Sequence, residues 1–119
     1  MPKSETFRRF SVNEAQRIAR LSPVFAALGD KTRLHIVGQL AQGHAHSIAQ
    51  LAVGLEISHQ GVTKHLKVLE KSGLVHARRV GRERQYTCDP ELMHEARSYL
   101  DEVAQEWDEA IERLRLSVE

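Results

Sequence analysis

The chain has 119 residues, 41% of them hydrophobic and 28% charged, with a formal net charge of +1, which suits one folded domain and excludes a disordered chain. Aromatic residues make up only 5%, so the core must be largely aliphatic, and the single cysteine, Cys88, excludes an intramolecular disulfide and argues against a thiolate zinc site within one chain. No stretch approaches the roughly 20 apolar residues that cross a bilayer and MPKSETFRRF lacks the apolar run of a signal peptide, so a reducing, cytoplasmic setting with no membrane partner is expected.

In chain order, SVNE (Ser11 to Glu14) fits a capping box and predicts a helix from about Val12 to Leu21. Ser22-Pro23 signals a fresh helix start, because proline suits the first helical position. Gly29 then breaks the run, and Asp30 caps a helix whose apolar face holds Leu34, Val37, Leu40 and Ala41, with Ile36 near its edge. Gly43 ends it. SIAQ (Ser47 to Gln50) is a second capping box and opens a very short helix with Ile48, Leu51 and Ala52 inward. After a turn at Gly54, Ser58 caps a further helix that Gly73 stops. Two short helices joined around a glycine form the helix-turn-helix pattern, here over 47–72.

LVHARRV (Leu74 to Val80), the tight connection GRE (Gly81 to Glu83) and RQYTC (Arg84 to Cys88) predict a β-hairpin over 74–88. Asp89, Pro90 and Glu91 then open a helix running to about Leu116. Its stripe of Leu92, Ala96, Tyr99, Leu100, Val103, Trp107, Ala110, Ile111 and Leu114 extends on the order of 40 Å. A domain of this size has no interior that long, so part of the stripe must be covered by something else, most simply a second copy.

Charge is unevenly spread. Lys and Arg outnumber Asp and Glu by 7 to 4 from Met1 to Ile57 and by 7 to 2 from Ser58 to Cys88, whereas 10 acids face 3 bases from Asp89 to Glu119. The basic middle contains the helix ISHQGVTKHLKVLEKSGLV. Val62, Leu66 and Leu69 hold its back to a core, while His59, Gln60, Thr63, Lys64 and Lys67 form a front of hydrogen-bonding and cationic groups. A helix of this kind fits the DNA major groove, where such side chains pair with base edges. Arg78, Arg79, Arg82 and Arg84 follow in the hairpin and suit phosphate contacts. Alone, such a charge run reads as a solvated face; beside that helix it reads as part of a DNA surface.

FAALGDKTRLHIVGQL resembles the opening phrase of the ArsR/SmtB family of winged-helix repressors. GVTKHLKVLEKSGLV is similar to that family's recognition helix, and RRVGRERQYTCDPE to its wing and exit. The resemblance covers about 24–116. It implies a mainly α winged helix-turn-helix with a small β-hairpin, a single domain over 1–119, dimerising through terminal helices at 11–28 and 90–116. It implies that Ser58, His59, Gln60, Thr63 and Lys64 face bases and phosphates, that Arg79, Arg82 and Arg84 form the wing's contacts, and that His65 is a partly packed histidine. Leu100, Val103, Trp107, Ile111 and Leu114 would lie at the dimer interface. Two copies would set their recognition helices about 34 Å apart on an inverted repeat.

The function expected is therefore a sequence-specific, double-stranded-DNA-binding regulator, a homodimeric repressor with no cofactor and no resident metal, and not an enzyme. No nucleophile, base and orienting group stand together in the sequence. One common metal site of the family uses a cysteine pair where this chain reads SIAQLA. Another uses histidines and carboxylates of the terminal helix, where YLDEVAQEWDEAIERL has no histidine. Two alternatives stay open: an effector sensor of the same fold, responsive to a metal held by His44 and His46 or to oxidation at Cys88, and a winged helix used for protein contact.

Overall fold

The computed structural model describes residues 2–118, of which 2–12 by backbone alone. The chain divides into two compact units, Met1–Asp89 and Pro90–Glu119. The first contains helices α1 (Pro2–Leu28), α2 (Lys31–Leu40), α3 (Ile48–Ala52) and α4 (His59–Ser72) with strands β1 (His46–Ser47), β2 (Val75–Val80) and β3 (Glu83–Cys88); the second is one helix, α5 (Pro90–Val118). This is the mainly helical winged helix-turn-helix expected from the sequence.

Helix α1 departs from expectation. It runs unbroken through Ser11 and through Pro23, so neither SVNE nor Ser22-Pro23 starts a helix; the side chain of Ser11 lies outside the described residues. Proline in a helix interior costs about 3 kcal/mol, because the bond to the Ala19 carbonyl is lost. Leu21, Val24 and Ala27 flank it at exposures of 1%, 0% and 2%. Burying side chains the size of Val and Leu contributes about 1.5–3 kcal/mol each, enough to carry the helix past the local stop signal while Pro23 itself faces solvent.

Helix α2 begins at the expected cap. The Asp30 carboxylate accepts from the backbone N–H of Thr32 at 2.9 Å and of Arg33 at 3.0 Å. Its buried face is turned from the expected one: Ile36, Val37 and Leu40 are enclosed, while Leu34 is 56% exposed. Arg33, one turn before Ile36 and Val37, takes the inward place that the sequence pattern gave to Leu34, for a reason described below.

The Ser47 capping box forms in full: its hydroxyl accepts from the Gln50 N–H at 3.2 Å, and the Gln50 side chain accepts from the Ser47 N–H at 2.9 Å. Residues His46 and Ser47 also form a short strand that the sequence pattern did not show. It pairs with β3 (His46 with Tyr86, Ser47 with Gln85), so the hairpin is one part of a three-stranded antiparallel sheet of order β1-β3-β2. Two residues are too few for an alternation signal.

The core of this unit joins Leu21 and Val24 of α1, Ile36 and Leu40 of α2, Leu51 of α3, Val62, Leu66 and Leu69 of α4, and Leu74, Val75 and Tyr86 of the sheet. Helix α4 starts at Ser58, whose hydroxyl accepts from the Gly61 N–H at 3.1 Å, and ends at Gly73 with φ of +87°. That left-handed backbone is open to glycine and costly for other residues. Replacing Ser47 with Ala removes the acceptor for a first-turn N–H of α3 and should lower the unfolding free energy by about 1 kcal/mol. Denaturant unfolding is expected to show the midpoint falling with an unchanged slope.

Candidate nucleic-acid interface

Packing decides what α4 shows to solvent. Val62, Leu66 and Leu69 are fully enclosed, at 0% exposure. With about 3.6 residues per turn, the opposite side of the helix is then Gln60, Lys64, Lys67 and Lys71, all exposed. His59 and Thr63 stand on the flank between front and core. Lys71 belongs to the same row and was not among the expected contacts; the sequence signal for it is the step from Lys64 through Lys67 to Lys71, at helical spacings of three and four.

Two of the expected contact residues carry helix-internal bonds. Besides accepting from Gly61, Ser58 retains its own hydroxyl hydrogen to donate. The Thr63 hydroxyl donates to the His59 carbonyl at 2.9 Å, which leaves its lone pairs and its methyl group for an outside partner. Gly61 has a plain environment, since the atoms an added Cβ would meet first, on Ile57 and Ser58, stand at 3.4–3.6 Å, ordinary van der Waals contact. Beyond the cap, the first-turn N–H groups of α4 point out of the helix toward solvent, as at any helix start.

The wing carries the remaining cations. Strands β2 and β3 pair with Ala77 opposite Tyr86 and Arg79 opposite Arg84. Because side chains alternate along a strand, Arg79 and Arg84 share the face of Val75, Ala77, Tyr86 and Cys88, one step beyond its covered part, where both are exposed. Arg78 is on the other face. Gly81, with φ of +64°, is the first of the two loop residues and Arg82 the second, the arrangement of a hairpin turn that needs glycine in its first place. Among the described residues, Lys64, Lys67, Arg79, Arg82 and Arg84 make no ion pair with a carboxylate. Like charges directly across an antiparallel pair destabilise it, so the Arg79–Arg84 pair is a local cost that no ion pair among the described residues offsets. Helix α4 packs on β2 within this unit, which puts the two sets of cations on neighbouring elements.

Helix α5, taken by itself, carries an exposed apolar stripe. Leu100 is 53% exposed, Val103 45%, Trp107 67%, Ile111 40% and Leu114 67%. These positions recur every three or four residues and so lie along one side of the helix. Leu100, Val103 and Trp107 line a shallow groove with Ala104 and Ala110.

The other candidates have ordinary surroundings. The His46 ring Nδ1 bonds to the His44 carbonyl at 2.8 Å, and among the described residues no third His, Cys, Asp or Glu joins them. Cys88 is half-buried, and burial pushes its thiol above the ordinary range, against the pull of the Asp89 backbone N–H. A thiol raised in this way holds little thiolate near neutral pH, and thiolate is the reactive form.

Comparison with known proteins places this geometry. A family model described as a helix-turn-helix domain matches residues 28–78. A transcriptional repressor SmtB homolog of Synechocystis sp. is 33% identical over 92 residues, 76% of this chain and 67% of that protein. Among solved structures, an ArsR-like transcriptional regulator from Rhodococcus sp. RHA1 is 35% identical, with a TM-score of 0.70 over 85% of this chain and 94% of the other. A homodimeric winged helix-turn-helix DNA-binding domain from Mycobacterium bovis is 28% identical, with a TM-score of 0.61 over 82% and 89%. As a check on the buried thiol, alkylation of Cys88 by iodoacetamide near neutral pH is expected to be severalfold slower in the native protein than in the denaturant-unfolded chain. Equal rates would contradict the burial described here.

Proposed function

This chain belongs to the ArsR/SmtB family of winged helix-turn-helix transcriptional regulators, and from that membership and the cationic surface above we infer that it is a homodimeric, sequence-specific repressor of double-stranded DNA. The observation that carries the reading is the Arg79–Arg84 pair on the hairpin beside α4, which makes no ion pair among the described residues. A duplex supplies the missing negative charge, with about one phosphate per 1.7 Å of axis, and turns a destabilising pair into two phosphate contacts.

Helix α4 enters the major groove front first. Gln60 and Lys64 contact base edges; His59, Thr63 and Lys67 stand along the same groove; Ser58 donates its hydroxyl to a backbone phosphate. Arg79, Arg82 and Arg84 grip the flanking backbone, Arg82 from the tip of the wing. The stripe Leu100, Val103, Trp107, Ile111 and Leu114 packs against a second copy, together with α1. The pairing presents two recognition helices to the halves of an inverted repeat. Occupying an operator that overlaps a promoter then represses transcription without any chemical step, so the protein acts as a regulator and not an enzyme. No helix among the described residues is long and apolar enough to cross a membrane, and a repressor of this kind works in the cytoplasm.

Selection of bound duplexes from a random pool tests the reading. An inverted repeat should emerge, with affinity falling steeply as salt rises; no duplex binding, or a response flat in salt, would overturn it. On the selected duplex, Gln60→Ala and Lys64→Ala should each reduce discrimination against a scrambled sequence by about 1–3 kcal/mol. Arg82→Ala should weaken both duplexes alike and lower the salt slope by about 1; an unaltered slope would remove Arg82 from the phosphate contacts. Trp107→Glu should shift sedimentation from dimer toward monomer, because it sets a charge in the middle of an apolar interface.

A further inference from the structure

Arg33 lies where three helices meet. Its Nε donates to the Ala27 carbonyl in the last turn of α1 at 2.6 Å. Its Nη1 lies 3.3 Å from Nδ1 of His65, in the middle of α4. Its own backbone N–H bonds to Asp30, the cap of α2, and the Asp30 carboxylate stands 3.7 Å from the same His65 nitrogen. That carboxyl is held below its ordinary range, chiefly by the Arg33 N–H bond and against some desolvation, so it is ionised near neutral pH. Each bond of the fork therefore ends on a different helix, and His65 follows Lys64 directly.

A guanidinium has only donors. For this contact to be a hydrogen bond His65 Nδ1 must accept, which requires the tautomer with the ring proton on Nε2. The surrounding core explains why a directed bond is useful here. Val62, Leu66 and Leu69 are aliphatic, and apolar contact alone sets depth better than rotation about the helix axis. A fixed fork from α1 to the middle of α4 sets that rotation, which decides where Gln60 and Lys64 point.

We propose that Arg33 is a positioning residue for the recognition helix, locking the rotation of α4 to the end of α1 through His65. The proposal rests on the reading of α4 as the DNA-contacting helix. It makes operator discrimination depend on two side chains that need not touch DNA, and it couples the reading surface to a helix assigned to the dimer interface.

The test uses the full chain and the duplex selected from the random pool, with a scrambled duplex as reference. Arg33→Lys keeps the charge but loses the fork, and His65→Leu removes the acceptor. Each should lower the ratio of selected to scrambled affinity about tenfold, with scrambled-duplex affinity and salt slope unchanged. The double variant should be no worse than either single one, because both break one link. His65→Asn, whose carbonyl oxygen stands close to the place of Nδ1, should retain discrimination. A merely structural role would lower stability without this rescue and without this split between duplexes. An unchanged ratio in both single variants, additive losses, or His65→Asn behaving as His65→Leu overturns the proposal.

The link is also read without DNA, from the ¹⁵N resonances of the His65 ring under mildly alkaline conditions, where an unperturbed imidazole is neutral. Nδ1 should be an unprotonated, hydrogen-bonded acceptor in the parent protein and should lose that bond in Arg33→Lys; a protonated Nδ1 in the parent overturns the link. Failure of the parent protein to bind duplex at all would sink the DNA reading instead, and the ring resonances would still report on the link.

Discussion

The burial of one face of α4 organises everything else in the first unit. Val62, Leu66 and Leu69 contact core contributed by α1, α2, α3 and β2, and removing a side chain of that size from a close-packed site costs about 2–5 kcal/mol. A helix held by its back in this way has little choice of which residues its front displays. Gln60, Lys64 and Lys67 are exposed because their positions on the helix leave them nowhere else to be, and their exposure needs no bond of their own. Hydrophobic packing thus selects which residues form the cationic front, while directed polar contacts such as the Arg33–His65 link bear on the rotation at which they are presented.

The same packing explains where local sequence signals prevailed and where they failed. Asp30, Ser47 and Ser58 each satisfy a backbone donor within three residues of themselves, and Gly73 and Gly81 each provide a positive φ at a turn. These effects act over a few residues, so a sequence shows them directly. Pro23 is also a local signal, but it competes with the buried Leu21, Val24 and Ala27, and the helix continues. Leu34 loses its inward place to Arg33, because a guanidinium that meets a carbonyl and an imidazole can be partly buried, and both partners come from other helices. Strand β1 exists only through its pairing with β3, and nothing within His46–Ser47 announces it.

Electrostatics separates structural from functional charge. Asp30 and Arg33 of α2 meet His65 of α4 and the Ala27 carbonyl of α1, and their positions follow from folding. The cations of the wing and of the α4 front do not. Arg79 and Arg84 face each other across the hairpin, and among the described residues neither makes an ion pair with a carboxylate. This cross-strand repulsion lies where a polyanion would relieve it, and such departures from local consistency concentrate at functional sites. The apolar stripe of α5 is a parallel case: a surface with no partner in its own unit, costly in water and suited to a second copy.

The sequence by itself determined the helix-turn-helix, the hairpin, the long terminal helix and the residues of the cationic front, because periodicity, caps and charge are properties of a chain read a few residues at a time. Only the tertiary structure decided that α1 runs past its proline, that α2 turns Arg33 inward, that a third strand closes the sheet, and that Arg33 ties His65 to the end of α1. Each of those depends on groups far apart in the chain, such as Arg33 and His65, which no local window contains and which only a closed core brings within hydrogen-bonding distance.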